Sequence, residues 1–151
     1  MSITYISAGL RRLVETRAEG ICEYCLIAEE DTFYGCAVDH IISEKHGGPT
    51  NEDNLALACV FCNQAKGSDI GSIHWESGEF VRFFNPRSDR WSDHFKLASS
   101  RIEGITAIGA VTARILGFND TERLLERQTL QAIARYPNPT AFRRMQVQTP
   151  L

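Results

Sequence analysis

Apolar residues recur at helical spacing over residues 7–19, S-A-G-L-R-R-L-V-E-T-R-A-E, where Leu10, Leu13, Val14 and Ala18 share one side. Ser7 stands before the run as an N-cap and Gly20 after it as a stop. Arg11, Arg12 and Arg17 fall on the other side and read as solvated cations. Residues 36–42, C-A-V-D-H-I-I, form a β-prone run, and residues 55–58 form a second that can pair back on it. The polar stretch between them changes direction at Gly47, Gly48 and Pro49. Residues 60–66 suit a short helix ending at Gly67.

Further on, Phe80, Val81, Phe83 and Phe84, with a Ser77-Gly78 turn before them, predict a hairpin over 71–85. Residues 85–96 mix aromatics with charge and show no usable period. Helices are predicted at 107–116 after Thr106, and at 121–135 with Asn119 or Asp120 as cap. Pro137-Asn138-Pro139 ends the second. The result is an α+β protein without internal repeats. Residues 1–70 hold a helix and a compact core; residues 71–151 hold a hairpin and a helical extension that packs on it, forming one domain overall.

Composition changes this picture little. The 151 residues are 43% apolar, ordinary for a globular chain, and no run is long enough to span a bilayer. The start, M-S-I-T-Y-I-S-A-G-L-R-R, lacks the features of a secretory signal, so a cytoplasmic location is expected. The formal charge of -3 argues against a protein that coats nucleic acid non-specifically. Charge is unevenly spread, however. Residues 1–81 carry five Lys/Arg against thirteen Asp/Glu, and residues 82–151 carry eleven against six. The basic half could touch phosphates, or both halves could simply present solvated faces.

The cysteines add candidate chemistry. Cys22 and Cys25 make one C-x-x-C pair, Cys59 and Cys62 another, and Cys36 is left over. Two such pairs can give four thiolates to one tetrahedral Zn²⁺, a closed and therefore structural site. The alternatives are four unliganded thiols or two disulfides. Cys36 reads as a small buried hydrophobe. Between the pairs, Asp39 is a hard oxygen donor suited to Mg²⁺ or a similar cation. His40 follows it, and on a regular strand would face the opposite way unless a bulge or twist intervenes. Asn54 closes the loop, and Asn63 lies on the short helix, where its amide oxygen could join Asp39 on a metal.

The run D-H-I-I, then H-G-G, then N-L-A-L-A-C-x-x-C-N-x-x-K-G resembles the ββα-metal core of the HNH endonucleases, in their four-cysteine, zinc-bearing form. The likeness is continuous over residues 22–67. F-F-N-P-R-S-D-R-W-S-D-H-F and G-I-T-A-I-G also resemble the tail of a bacterial subgroup, extending coverage to about residues 20–118, though no role attaches to that tail.

The resemblance implies that His40 is the general base and that Asn54 orients it and the loop. It implies that Asp39 and Asn63 hold the catalytic cation and that Cys22, Cys25, Cys59 and Cys62 hold zinc. Asn63 stands where the last histidine of the family usually lies, making this an H-N-N variant. An amide donor there favours Mg²⁺ or Mn²⁺ over softer metals. The expected activity is metal-dependent hydrolysis of DNA phosphodiesters, leaving 5′-phosphate and 3′-hydroxyl ends. The alternative is an inactive, zinc-containing nucleic-acid-binding module of the same fold. DNA is the expected partner, no membrane is, and the acidic net charge leaves room for a homodimer or a protein partner.

Lys66, Arg82, Arg87 and Arg90 are the candidate phosphate contacts, the arginines because they interleave with Phe83, Phe84 and Trp91. Lys66 could equally be a solvated helix end, and the aromatics could equally pack inward. His46, His74 and His94 read as loop, surface and structural residues respectively.

Overall fold

The computed structural model describes residues 5–146. It contains α1 (Ala8–Ala18), β1 (Cys36–His40), β2 (Leu55–Cys59), α2 (Val60–Lys66), β3 (Gly71–His74) and β4 (Glu79–Arg82). These are followed by α3 (Trp91–His94), β5 (Phe95–Ala98), β6 (Arg101–Gly104), α4 (Ala107–Ile115), α5 (Thr121–Ala132) and α6 (Pro139–Met145). The strands make three separate antiparallel hairpins, β1–β2, β3–β4 and β5–β6.

Ser7 caps α1, its hydroxyl accepting from Leu10 N at 3.2 Å. Val14 and Ala18 are buried on β2, in a small cluster with Leu55 and Leu57. Arg17 is not a solvated cation. Its guanidinium donates to the carbonyls of Glu52 and Leu55 at 2.9 and 2.8 Å, tying the helix end to the start of β2.

β2 is buried along its whole length, and β1 pairs with it from Cys36↔Cys59 to His40↔Leu55 without a bulge. Between the two strands, Asn54 acts as an extra backbone unit. Its amide accepts from Ile42 N and donates to Ile42 O, both at 2.9 Å, and also donates to Pro49 O at 2.9 Å. Gly48 is required by this clamp. A Cβ there would stand 1.7 Å from Ile42 O and 2.9 Å from Asn54 Nδ2.

The main core joins both halves of the chain. Tyr24, Cys25, Ile27, Phe84, Phe95 and Phe118 are among its members. Trp91 Nε1 donates to Tyr24 O and Tyr136 Oη to Cys25 O, each at 2.8 Å. Residues 85–96, which had no readable period, thus supply α3 and the start of β5. The β5–β6 hairpin and α6 were not anticipated. Pro137-Asn138-Pro139 both follows α5 and starts α6, because Asn138 accepts from Ala141 N at 2.8 Å and Pro139 takes the first helical position.

The uneven charge finds its explanation in this packing. Arg87 and Arg144 approach Glu23, Arg135 pairs with Glu30 and Asp31, and Arg143 pairs with Glu19. Much of the basic second half is spent holding the acidic first half.

Candidate nuclease site and metal centre

The Cys22–Cys25 turn and the Cys59–Cys62 turn repeat one local geometry. Cys25 N points at Cys22 Sγ and Cys62 N at Cys59 Sγ, both at 3.5 Å. Cys59 is also the N-cap of α2. The four sulfurs lie within 4.8 Å of one another, and Cys25 and Cys59 are 3.7 Å apart. Sulfurs bonded to zinc at about 2.3 Å occupy a tetrahedron with edges of about 3.8 Å, so the cluster fits a structural metal such as zinc.

All five cysteines are free thiols, which removes the disulfide alternative. Cys36 stays outside the cluster, half-buried on β1, where burial pushes its thiol well above the usual range. Arg123, unremarked in the sequence, closes the site. It is buried, its Nη2 lies 3.7 Å from Cys59 Sγ and 3.6 Å from Cys62 Sγ, and its guanidinium sits 5.3 Å over the Phe61 ring. A zinc held by these four cysteines would make a dianionic unit, and one buried cation beside it would supply outer support.

A separate cavity of about 550 Å³ lies between β1, the loop after it and α2. Asp39, His40, Asn63, Glu44, Lys45 and Arg11 are among the residues lining it. Asp39 and His40 both reach it without a bulge, since His40 is the last residue of β1 and the chain turns directly after it. His40 is 5% exposed, with Nε2 2.8 Å from Thr50 Oγ1. Thr50 in turn donates to Glu44 Oε1 at 3.5 Å. Neither partner was singled out in the sequence, because a threonine and a glutamate in a polar loop carry no local signal. Asn63 makes no side-chain hydrogen bond among the described residues.

Lys66 is neither a phosphate contact nor a solvated helix end. It is 2% exposed, with Nζ 2.9 Å from Asp39 Oδ2 and donating to His40 O at 2.8 Å. Burial pushes the Asp39 carboxyl above its usual value, and the Lys66 charge offsets this only in part. Asp39 Oδ2 is buried and lacks a well-directed hydrogen bond, and with Asn63 on the same cavity the pair offers two hard oxygen donors. Such a set fits a divalent cation that keeps several waters.

The other candidate phosphate contacts lie elsewhere. Arg82 forks onto both carboxylate oxygens of Asp89 at 2.8 and 3.1 Å. Arg87 pairs with Glu23, whose side chain is fully buried. Arg90 is exposed and borders a different, smaller cavity with Trp91 and Arg144. His46 is an exposed loop residue, His74 bonds Ser77 within its own turn, and His94 bonds Thr106 at 2.7 Å and abuts Phe84. The two glycines of G-I-T-A-I-G have a packing role. A Cβ on Gly104 would stand 2.2 Å from Ala110 N, and one on Gly109 would stand 2.0 Å from His94 O.

A strand hairpin followed by a short helix, with an acid–histidine pair and an asparagine around one cavity and a four-cysteine cluster beside it that could hold a metal, defines a ββα arrangement. Residues 22–69 match the family model for the HNH endonuclease, and this segment is an HNH domain. No curated protein and no solved structure gives a significant match to the chain. No helix among the described residues is long and apolar enough to cross a membrane.

Proposed function

We propose that the protein is a divalent-metal-dependent DNA endonuclease with His40 as general base, and with zinc on Cys22, Cys25, Cys59 and Cys62 serving structure. The observation that carries this reading is the convergence of Asp39, His40 and Asn63 on one open cavity within the HNH segment.

The hydrogen bonds support a definite arrangement of the base. With Nε2–H donating to Thr50 Oγ1, and Thr50 donating onward to Glu44, Nδ1 is left as the acceptor for a proton from the attacking water. Asn54 fixes the loop that carries Thr50 and so positions the ring through it. Asp39 and Asn63 would hold Mg²⁺ or Mn²⁺. That cation, when bound, supplies positive charge against the anionic phosphate.

A second reading, an inactive DNA-binding module, has one observation in its favour. The Lys66 ammonium already neutralises the carboxylate that would hold the cation. Plasmid cleavage by zinc-loaded protein, with and without added Mg²⁺ or Mn²⁺ and beside His40→Ala, separates the two. Metal-dependent nicking abolished in the variant is expected. DNA retardation without cleavage, in either metal, would replace the enzyme with the binding module.

A further inference from the structure

We propose that Arg11 and Lys45 are the phosphate-gripping residues of the cavity, each holding one backbone phosphate of a DNA strand laid across Asp39, His40 and Asn63. The inference rests on the nuclease reading and adds the contacts that reading lacks.

A phosphate entering this cavity meets an unfavourable field. Asp39 and Glu44 both line it, and Lys66, the nearest cation to Asp39, is buried and spent on that carboxylate. Beyond the catalytic cation, countercharge from side chains must come from the rim. Arg82 and Arg87 cannot provide it, because Asp89 and Glu23 hold them and neither lines the cavity.

Arg11 and Lys45 do line it, and both are exposed. Among the described residues, neither has a carboxylate partner. Arg11 Nε donates to Ile6 O at 3.3 Å, which fixes the root of the guanidinium and leaves its terminal nitrogens to form a two-pronged contact with phosphate oxygens. Lys45 sits in the short turn Glu44–His46, whose backbone is closed by His46 N and Gly48 N donating to Ser43 O at 2.9 and 3.0 Å. Its ammonium therefore extends from an anchored backbone and acts as a point charge. One cation comes from α1, outside the HNH segment, and the other from the loop inside it. The N-terminal helix is thereby part of the nucleic-acid surface as well as part of the fold.

The test is the salt dependence of binding to a labelled duplex, read by fluorescence anisotropy in zinc-loaded His40→Ala protein so that the DNA stays intact. Each phosphate contact contributes about 0.9 to the slope of log K against log salt. Arg11→Ala and Lys45→Ala should each flatten the slope by about 0.9, and the double variant by about 1.8. Arg11→Lys should keep the slope, and Arg12→Ala should leave it unchanged. Binding with an unaltered slope in both alanine variants would overturn the proposal and leave the nuclease reading standing. So would an equal loss in Arg12→Ala, which would reduce the effect to net charge. Absence of binding by the parent protein at low salt would instead remove the nuclease reading, and this inference with it.

Discussion

Arg87→Ala should destabilise the protein by about 3 kcal/mol, because it strands a carboxylate in the core. Glu23 has no side-chain exposure, and Arg87 is its close ionic partner at Oε1. Oε2 accepts from Leu57 N at 2.9 Å, and Glu23 N donates to Leu57 O at 2.8 Å, so the residue also joins the first cysteine turn to β2. Breaking a buried pair by removing one member costs about 3–5 kcal/mol. The lower figure applies because Leu57 N still donates and Arg144 Nη1, already 3.9 Å away, can move in. Removing Arg87 also removes a buried Nη1 that has no partner. For a chain of this length, about 3 kcal/mol corresponds to a fall in Tm of about 6–12 °C.

Urea denaturation with zinc in excess, followed by circular dichroism and tryptophan fluorescence, measures the loss directly. Glu23→Gln combined with Arg87→Met should lose less than Arg87→Ala alone, since neither uncompensated charge remains. Stability within about 0.5 kcal/mol of the parent, together with weakened DNA binding, would refute the reasoning and return Arg87 to the role that the sequence suggested.

Two further outcomes are expected. Cys59→Ser should lose the bound metal and much of the helical circular dichroism, while Cys36→Ser should retain one zinc per chain by elemental analysis, because Cys36 lies outside the sulfur cluster. Asp89 should contribute to stability above about pH 4 and lose that contribution in acid. Burial raises its carboxyl, but the Arg82 fork and the Asn85 N–H outweigh this and hold it below the ordinary value. The folded protein thus binds that proton less tightly than the unfolded chain, and the advantage disappears as pH falls through the folded value. Half of Arg82 is in water, so the effect is less than about 1 kcal/mol. The stability gap between the parent and Asp89→Asn should narrow from pH 6 to pH 3; a constant gap would count against the pairing.

Spacing made the cysteine-bearing half legible. Two C-x-x-C pairs, a β-prone run on each side of the loop and a glycine after α2 are local signals, and the structure has all of them in place. The Thr106 cap of α4 was equally readable, its hydroxyl accepting from Gly109 N at 3.0 Å. What stayed hidden depends on distant partners. Nothing around Arg87 announces Glu23, and nothing around Arg17 announces the carbonyls of Glu52 and Leu55. The β5–β6 hairpin escaped because its turn runs through Ser99 at φ 58°, where a glycine or asparagine would have been the usual signal. In the candidate site, Asp39, His40 and Asn63 could be named from the sequence. Thr50, Glu44 and Arg11 could not, since only the folded chain brings Glu44 and Arg11 to the cavity and Thr50 to the His40 ring.

The contacts around the first cysteine turn bear on how this segment could be moved between proteins. Tyr24 and Cys25 offer their carbonyls to Trp91 and Tyr136, and Arg123 reaches the sulfurs of the second turn. A gene fragment cut at residue 69, where the HNH match ends, would leave these acceptors facing water and the thiolates without their cation. Grafting the HNH-matching segment onto another scaffold would therefore have to carry residues 91–136 with it, or rebuild that cover from new residues.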